Sequence, residues 1–244
     1  MAAGEATLDS RATFGSQLHG MLAEAIIAPA RGLLKAPATL TLAEASTLPC
    51  AALTAWSALF EAANVGPAQH VVVQGTGGVA IFALQFAKLA GASVTILSGS
   101  DAKLERARGL GADHCVNYRQ HPAWAKSVNE YTRGRGADIV IELGGTSTLG
   151  ESIACLRHDG TVAIIGVLSG LEAALPLAPT IYKRARIQGV NVGHRESMTA
   201  MCAAIDRHRL KPVIDRNYSF DDAKSAYRDL AAGAHFGKLV IDIE

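Results

Sequence analysis

The run Val71-Val72-Val73-Gln74-Gly75-Thr76-Gly77-Gly78-Val79-Ala80 constrains the fold more than any other segment of the chain. A short β-branched stretch passes directly into glycines and then into helical spacing. Val79, Phe82, Phe86 and Leu89 recur every three or four residues, and Gly91 follows as a stop. This is the strand–turn–helix setting that a G-x-G-x-x-G/A phosphate fingerprint requires. Gly75 permits the tight turn, and Gly77 lets backbone approach a pyrophosphate with no side chain in the way. Ala80 is small enough for close helix–strand packing. Thr76 and Gly78 complete the turn, and the N–H groups around Val79, with the helix dipole, would hold the phosphates. The other reading of the same residues is a tight turn that binds nothing.

Six runs read as strands buried on both faces, because they are apolar and β-branched without alternation. They are His70–Gln74, Ser93–Leu97, His114–Asn117, Asp138–Leu143, Thr161–Val167 and Arg186–Val192. Helical segments separate them; Leu104, Ala107 and Leu110 before Gly111 mark one. Six strands with helical crossovers predict an α/β fold, a Rossmann-type doubly wound parallel six-stranded sheet. The two ends break the alternation. Residues 20–50 read as an extended piece over Met21–Ile27, a loop punctuated by Pro29 and Pro37, and a short helix from about Leu42. After Val192 come a helix over Ser197–Arg209, a strand near Val213–Tyr218, a helix opened by Asp221 and Asp222, and a strand over Lys238–Ile243. Both ends are expected to lie together, outside the sheet.

Composition narrows the partners. Of 244 residues 49% are hydrophobic and 18% charged, which excludes disorder, collagen and coiled coil. Twenty-three basic against 22 acidic residues give no electrostatic reason to expect nucleic acid or an anionic membrane. Met1–Gly15 has no apolar core of a secretory signal. The uncharged stretch Ala62–Ala87 is broken by Gly66-Pro67, His70 and the glycine turn, so no membrane span is expected. Cys50, Cys115, Cys155 and Cys202 form no CxxC pair and read as small buried hydrophobes of a reducing compartment, so a cytoplasmic location is expected. They give no zinc cluster.

The end of the second strand bears on cofactor choice. An NAD site usually places Asp or Glu there, yet no acidic residue lies between Gly75 and Ser100. The segment ends in Ser98-Gly99-Ser100, with Lys103 one turn into the next helix. Two hydroxyls and an ammonium suit a 2′-phosphate, so NADP(H) is expected over NAD(H). The alternative is that Ser100 or Asp101 caps the helix and Lys103 is solvated.

Size first suggests a short-chain dehydrogenase. Its glycine motif lies near the N-terminus, however, and its Tyr-x-x-x-Lys is absent, since none of Tyr118, Tyr131, Tyr182, Tyr218 and Tyr227 has Lys four residues on. From Gly20 nearly to the C-terminus the chain instead resembles the medium-chain dehydrogenase/reductase superfamily, on its quinone-oxidoreductase-like, zinc-free alcohol dehydrogenase-like branch. The resemblance rests on Ala45–Trp56, Gly75–Ala80, Ser98–Lys103, Val116-Asn117-Tyr118-Arg119, Ile165–Gly170 and Gly233–Lys238, in order and spacing. It implies Thr54 beside the nicotinamide, Gly75 to Val79 on the pyrophosphate, and Ser98, Ser100, Lys103 and Tyr118 around the 2′-phosphate. Gly166, Val167, Leu168, Val192 and Gly193 would present backbone to the carboxamide and nicotinamide ribose. Phe236 to Lys238 would close the cleft. Tyr118 equally reads as a packed residue ending a strand.

Family members begin with a GroES-like half that precedes the part matched here. The resemblance therefore implies residues 1–55 as a remnant of that catalytic domain, 56–193 as the dinucleotide-binding domain, and 194–244 as the return to the catalytic domain. Strands such as Met21–Ile27 would lack partners. Cys50 stands where zinc-dependent relatives hold metal, but one thiolate is no zinc site. His194-Arg195-Glu196 is either a polar set at the cleft or a surface helix entry. The expected activity is zinc-independent hydride transfer between NADP(H) and a carbonyl, quinone or alcohol, with no proton donor named; the alternatives are NADPH binding without turnover and a purely structural module. The edge strand Arg186–Val192 is expected to pair two copies into a homodimer.

Overall fold

The computed structural model describes residues 13–15 and 17–243. The expectation for the first residues, Met1–Ala12, lies outside them. The chain falls into two units by internal contact, Thr54–Asn191 and the two ends together, up to Leu53 and from Val192 onward.

No strand forms over Met21–Ile27, contrary to the expectation. The segment runs irregularly, and Ile27 is 98% exposed. No described strand pairs with it, and an isolated strand has too little to stabilise it in water. Helix α1 (Leu42–Ser46) opens with a capping box: Thr41 Oγ1 accepts from the Glu44 N–H, and the Glu44 carboxylate accepts from the Thr41 N–H. A π-helical turn at Leu48–Ala52, helix α2 (Leu53–Trp56) and a second π turn at Ser57–Ala62 follow.

The central unit contains strand β1 (His70–Gln74), helix α3 (Gly78–Leu89), β2 (Ser93–Ser98), α4 (Asp101–Gly109), β3 (His114–Asn117), α5 (Trp124–Tyr131), β4 (Ala137–Glu142), α6 (Leu149–Cys155), β5 (Leu156–Ile164), α7 (Leu177–Tyr182) and β6 (Arg186–Gly189). All neighbouring strands pair in parallel, in the order β3-β2-β1-β4-β5-β6. This is the dinucleotide-binding Rossmann order, and the expected fold is the one found. β1 and β4 are buried at every residue, which explains why their sequences do not alternate. On one face Val72, Leu97, Val140 and Val162 pack with Trp124, Val128 and Ile153.

Two strands of the sheet end or begin three or more residues from the sequence reading, and others shift by a single residue. The segment expected over Thr161–Val167 is β5, Leu156–Ile164. Its pairing with β4 jumps from Ala137↔Leu156 to Ile139↔Thr161, around Asp159 at φ +57°. The segment expected over Arg186–Val192 stops at Gly189, and Val192 has φ +43°, which no extended strand continues through.

The amino ends of the strands carry a buried polar cluster. His70 is 3% exposed; its Nδ1 meets Ser93 Oγ at 2.7 Å and its Nε2 meets Thr95 Oγ1 at 2.8 Å. Thr95 Oγ1 also meets His114 Nδ1 at 3.2 Å, and His114 stacks on Tyr131. Burial, followed by the neighbouring His114, lowers the His70 pKa from 6.5 to about 4, against the opposing pull of Asp138 and Asp113. Burial also lowers His114. As pH falls through 6.5 the unfolded chain takes up a proton that folded His70 refuses, so stability drops until about pH 4 and no further on this account. A shift of that size corresponds to about 3 kcal/mol over the window. Urea midpoints measured from pH 7 to 4 are expected to fall accordingly, and to fall less in His70→Gln; an unchanged slope in that variant would assign the loss elsewhere.

The other unit holds α8 (Arg195–His208), β7 (Ile214–Ser219), α9 (Ala223–Ala232) and β8 (Lys238–Asp242), with β7 and β8 paired in parallel. Asp206 binds the entering chain: its carboxylate accepts from the Thr39 N–H at 2.9 Å, the Ala38 N–H at 3.1 Å and the Thr39 hydroxyl at 2.8 Å. Lys211 Nζ donates to the Thr39 carbonyl at 2.7 Å and to Glu44 at 2.9 Å.

Candidate functional site

In an open parallel sheet, ligands bind beyond the carboxyl ends of the strands, where the strand order reverses. Here that point lies between β1 and β4. Gly75 leaves β1 at φ +77°, a conformation that disfavours side chains, and its N–H donates to Leu97 O at 2.7 Å. Gly77 is the N-cap of α3 at φ −79° and offers no side chain to the first turn. A Cβ at Gly75 or Gly77 would meet nothing within 4 Å, so the turn faces open space. The opening N–H groups of α3, from Gly78 and Val79 onward, can therefore receive an anion. Thr76 is buried beside them.

The end of β2 adjoins this turn. Ser98 is 4% exposed, and its Oγ accepts from the Ser100 N–H at 3.3 Å. Ser100 caps α4, accepting from the Lys103 N–H at 3.4 Å. The capping role raised from the sequence thus belongs to Ser100. Tyr118 donates its N–H to Ser98 O at 3.2 Å, and its side chain is exposed. A Cβ at Gly99 would lie 2.7 Å from Arg119 Nε and 3.0 Å from Tyr118 Oη. A side chain at 99 would push these two groups away from the serine turn. Arg119 belongs to the Val116–Arg119 motif, but sequence reasoning does not single it out as a site residue. Asp101 is held by Asn117 Nδ2 at 2.7 Å and Gln120 Nε2 at 3.0 Å.

On the other side of the reversal, the loops after β4 and β5 are joined. Ser169 donates its N–H to Gly144 O at 2.7 Å and its hydroxyl to the same oxygen at 2.8 Å. The Ser147 N–H returns to Ser169 Oγ at 2.9 Å. Gly166 is pressed against Leu143, whose carbonyl oxygen a Cβ would approach to 2.2 Å. Val167 and Leu168 are exposed, at 46% and 90%. Beneath them lies Glu142, 0% exposed. Its Oε1 accepts from the N–H groups of Gly144 at 2.9 Å and Gly145 at 3.0 Å and from the Thr148 hydroxyl at 2.5 Å. Its Oε2 accepts from Gln74 Nε2 at 2.8 Å and from the Ser152 hydroxyl. Gln74 Oε1 in turn accepts from the Leu143 and Gly144 N–H groups, both at 3.0 Å.

The structure thus brings together Gly75 to Val79, Ser98, Ser100, Lys103, Tyr118 and Gly166 to Leu168 along one edge of one unit. Thr54 is buried on α2 of that unit. Val192, Gly193 and Lys238 belong to the other unit, where Lys238 opens β8.

Residues 78–207 match the family model described as zinc-binding dehydrogenase. A zinc-type alcohol dehydrogenase-like protein of Schizosaccharomyces pombe is 41% identical over 242 residues, which cover 96% of this chain and 70% of that protein. The chain belongs to the zinc-binding dehydrogenase family, within the medium-chain dehydrogenase/reductase superfamily. A crystal structure of a Sinorhizobium meliloti 1021 protein described as an alcohol dehydrogenase superposes on this chain with TM-score 0.92 and 43% identity, covering 99% of this chain and 70% of that one. A structure named as an NAD-dependent alcohol dehydrogenase gives TM-score 0.88 and 35% identity, covering 94% and 67%.

The family name raises the question of zinc. Among the described residues of this chain, no three His, Cys, Asp or Glu side chains come together to hold a metal ion. Cys50 is exposed on a π turn. His194 is the N-cap of α8: its Nδ1 accepts from the Ser197 N–H at 3.4 Å and its Nε2 meets Ser197 Oγ at 3.0 Å. The helix-entry reading of His194-Arg195-Glu196 is the one the structure supports. The described residues do not fit a catalytic zinc, which needs three protein ligands. Among them, too, no helix is long and apolar enough to cross a membrane.

Proposed function

We propose that this chain binds NADP(H) in preference to NAD(H) and serves a zinc-independent transfer of hydride between that cofactor and a carbonyl, quinone or alcohol. One observation carries the reading: beside the open glycine turn at the strand reversal lies a serine turn on which Tyr118 and Arg119 close over Gly99. The α3 N–H groups suit the pyrophosphate. The Ser98 and Ser100 hydroxyls, Lys103 and the Arg119 guanidinium suit a 2′-phosphate, which carboxylates would repel. The turn bearing the exposed residues Val167 and Leu168 suits the carboxamide. Bound NADPH would supply a hydride, with a solvent proton completing reduction of a carbonyl to an alcohol. The chain's own contribution is to position the cofactor and shield it from water.

The test is a fluorescence titration with NADPH and NADH in chelator. Wild type is expected to bind NADPH more tightly. Arg119→Ala is expected to weaken NADPH about tenfold while leaving NADH nearly unchanged, the loss of one charge-assisted contact. Equal losses for both, or a wild-type preference for NADH, would overturn the NADP reading. NADPH oxidation with a carbonyl or quinone acceptor is expected to persist in chelator. Binding without any turnover over a broad panel would leave a cofactor-binding protein instead.

Two further proposals concern assembly. The unit holding both chain ends is read as the GroES-like catalytic portion. β6 is exposed along its length, with Leu177 and Ile181 of α7 exposed nearby, and such an edge favours pairing with a second copy. Light scattering is expected to give a dimer at micromolar concentration.

A further inference from the structure

The mechanism proposed above makes no use of the most heavily hydrogen-bonded side chain at the strand reversal. Glu142 ends β4 beside Gln74, which ends β1, so the pair lies at the carboxyl ends of the two strands between which the order reverses. An isolated buried carboxylate is costly, and its retention at 0% exposure requires donors on all sides. Here the donors are the components of the site itself. The Gly144 and Gly145 N–H groups fix the loop after β4, and Gly144 O in turn holds Ser169 in the turn that bears Val167 and Leu168. Glu142 also acts through its own carbonyl, which accepts from Ile165 at 2.9 Å and Gly166 at 3.1 Å. Gln74, the residue before Gly75, ties the glycine turn to the same assembly. The serine turn at β2, which would read the adenosine end, has no part in these bonds.

We infer that Glu142 and Gln74 form a positioning pair that sets the nicotinamide half of the dinucleotide site and leaves the adenosine half untouched. The inference rests on the dinucleotide-binding reading and deepens it. Its hydrogen-bond arithmetic is specific. In Glu142→Gln two amide NH₂ groups confront each other at the Gln74 contact. Flipping Gln74 would relieve that contact but aim its NH₂ at the Leu143 and Gly144 N–H groups. The single variant therefore cannot be satisfied. The exchanged pair, Gln74→Glu with Glu142→Gln, can be: Glu at 74 accepts both backbone N–H groups and the new amide, while Gln at 142 accepts from Gly144 and Gly145.

The experiment titrates the 244-residue chain with whichever of NADPH and NADH the wild type prefers, and with its adenosine half, 2′,5′-ADP or 5′-AMP. Glu142→Gln is expected to weaken the full cofactor about tenfold or more and the half-molecule less than about twofold, and the exchanged pair to recover most of the loss. Thr148→Val removes one donor to Oε1 with the side-chain shape kept, and is expected to weaken the full cofactor about threefold without affecting the half-molecule. It carries the test if Glu142→Gln does not fold. Parallel losses for both ligands, unchanged affinity, or no recovery in the exchanged pair would overturn the inference. Wild type binding neither ligand would instead refute the dinucleotide reading itself, and this inference with it.

Discussion

Replacing Gly77 by valine is expected to weaken NADPH binding by at least about a hundredfold while the protein stays folded, since two or more charge-assisted N–H contacts to phosphate are lost. The separation of the two effects follows from the local backbone. Gly77 sits at φ −79° and ψ −171°, extended backbone that valine adopts without strain, and a Cβ there meets no atom within 4 Å. The side chain would project into the space onto which the first N–H groups of α3 open. Valine is a poorer N-cap than glycine, which costs about 1 kcal/mol and lowers Tm by about 2–4 °C. Gly75→Val behaves differently. At φ +77° a branched side chain adds backbone strain of about 1–3 kcal/mol, so that variant confounds stability with binding. Titration and thermal melts of the Gly77 variant separate the two. Wild-type affinity in Gly77→Val would mean that the glycine turn is structural and that phosphate is held elsewhere, if at all.

What is legible in the sequence follows the physics of burial. β1 and β4 are covered on both faces, so their composition is forced, and the unbroken run of Val71 to Val73 by itself marks a parallel strand. The glycine turn is equally plain, because few backbones need that spacing between a strand and a helix. Six strands joined by helical crossovers leave little freedom in their order. The segment Met21–Ile27 reads as a strand without being one, because apolar residues at a chain end resemble a strand whether or not a neighbour exists to pair with it. Pairing is non-local and leaves no trace in the segment itself. The sequence overruns the end of β6 for a related reason. Val190 and Val192 favour strands, but Val192 turns left-handed where the chain leaves the unit.

Within the site the same rule separates the legible residues from the hidden ones. Ser98, Ser100 and Lys103 stand out because their types match an anion and their spacing is local. Arg119 does not, since its approach to Gly99 depends on two strand ends meeting. Glu142 does leave a signal: a carboxylate closing the otherwise apolar run Ile139-Val140-Ile141. Such a residue must be paired where the strand is buried, and Gln74, at the matching place on β1, is the nearest partner the sheet allows.

Asp138→Ala is expected to destabilise the central unit by about 3–5 kcal/mol, measured by urea denaturation. The Asp138 side chain is 2% exposed. It accepts from Arg135 Nη1 at 2.7 Å and Nη2 at 2.8 Å, from Arg157 Nε at 2.5 Å, and from the His70 N–H at 2.8 Å. Burial works to raise its carboxyl, but the bonds from Arg135, His70 and Arg157 outweigh it and hold the group below the ordinary carboxylate range. Its removal leaves the His70 N–H and the Nε of the 28%-exposed Arg157 without the acceptor they share. Arg135 is half exposed and can return to water, so Arg135→Ala is expected to cost only about 1 kcal/mol. A loss in Asp138→Ala no larger than that would show that water replaces the carboxylate. The lowered carboxyl contributes stability above its unfolded pKa of 3.8, and that contribution disappears as pH falls through the still lower folded value. The loss therefore begins where the His70 window ends, and wild type should lose stability in acid through two successive declines, of which the second is smaller in Asp138→Ala. Because Asp138 lies at the amino ends of the strands, the folded fraction of this variant should bind NADPH as wild type does. Weakened binding there would reveal coupling through the sheet that none of the hydrogen bonds at either end provides.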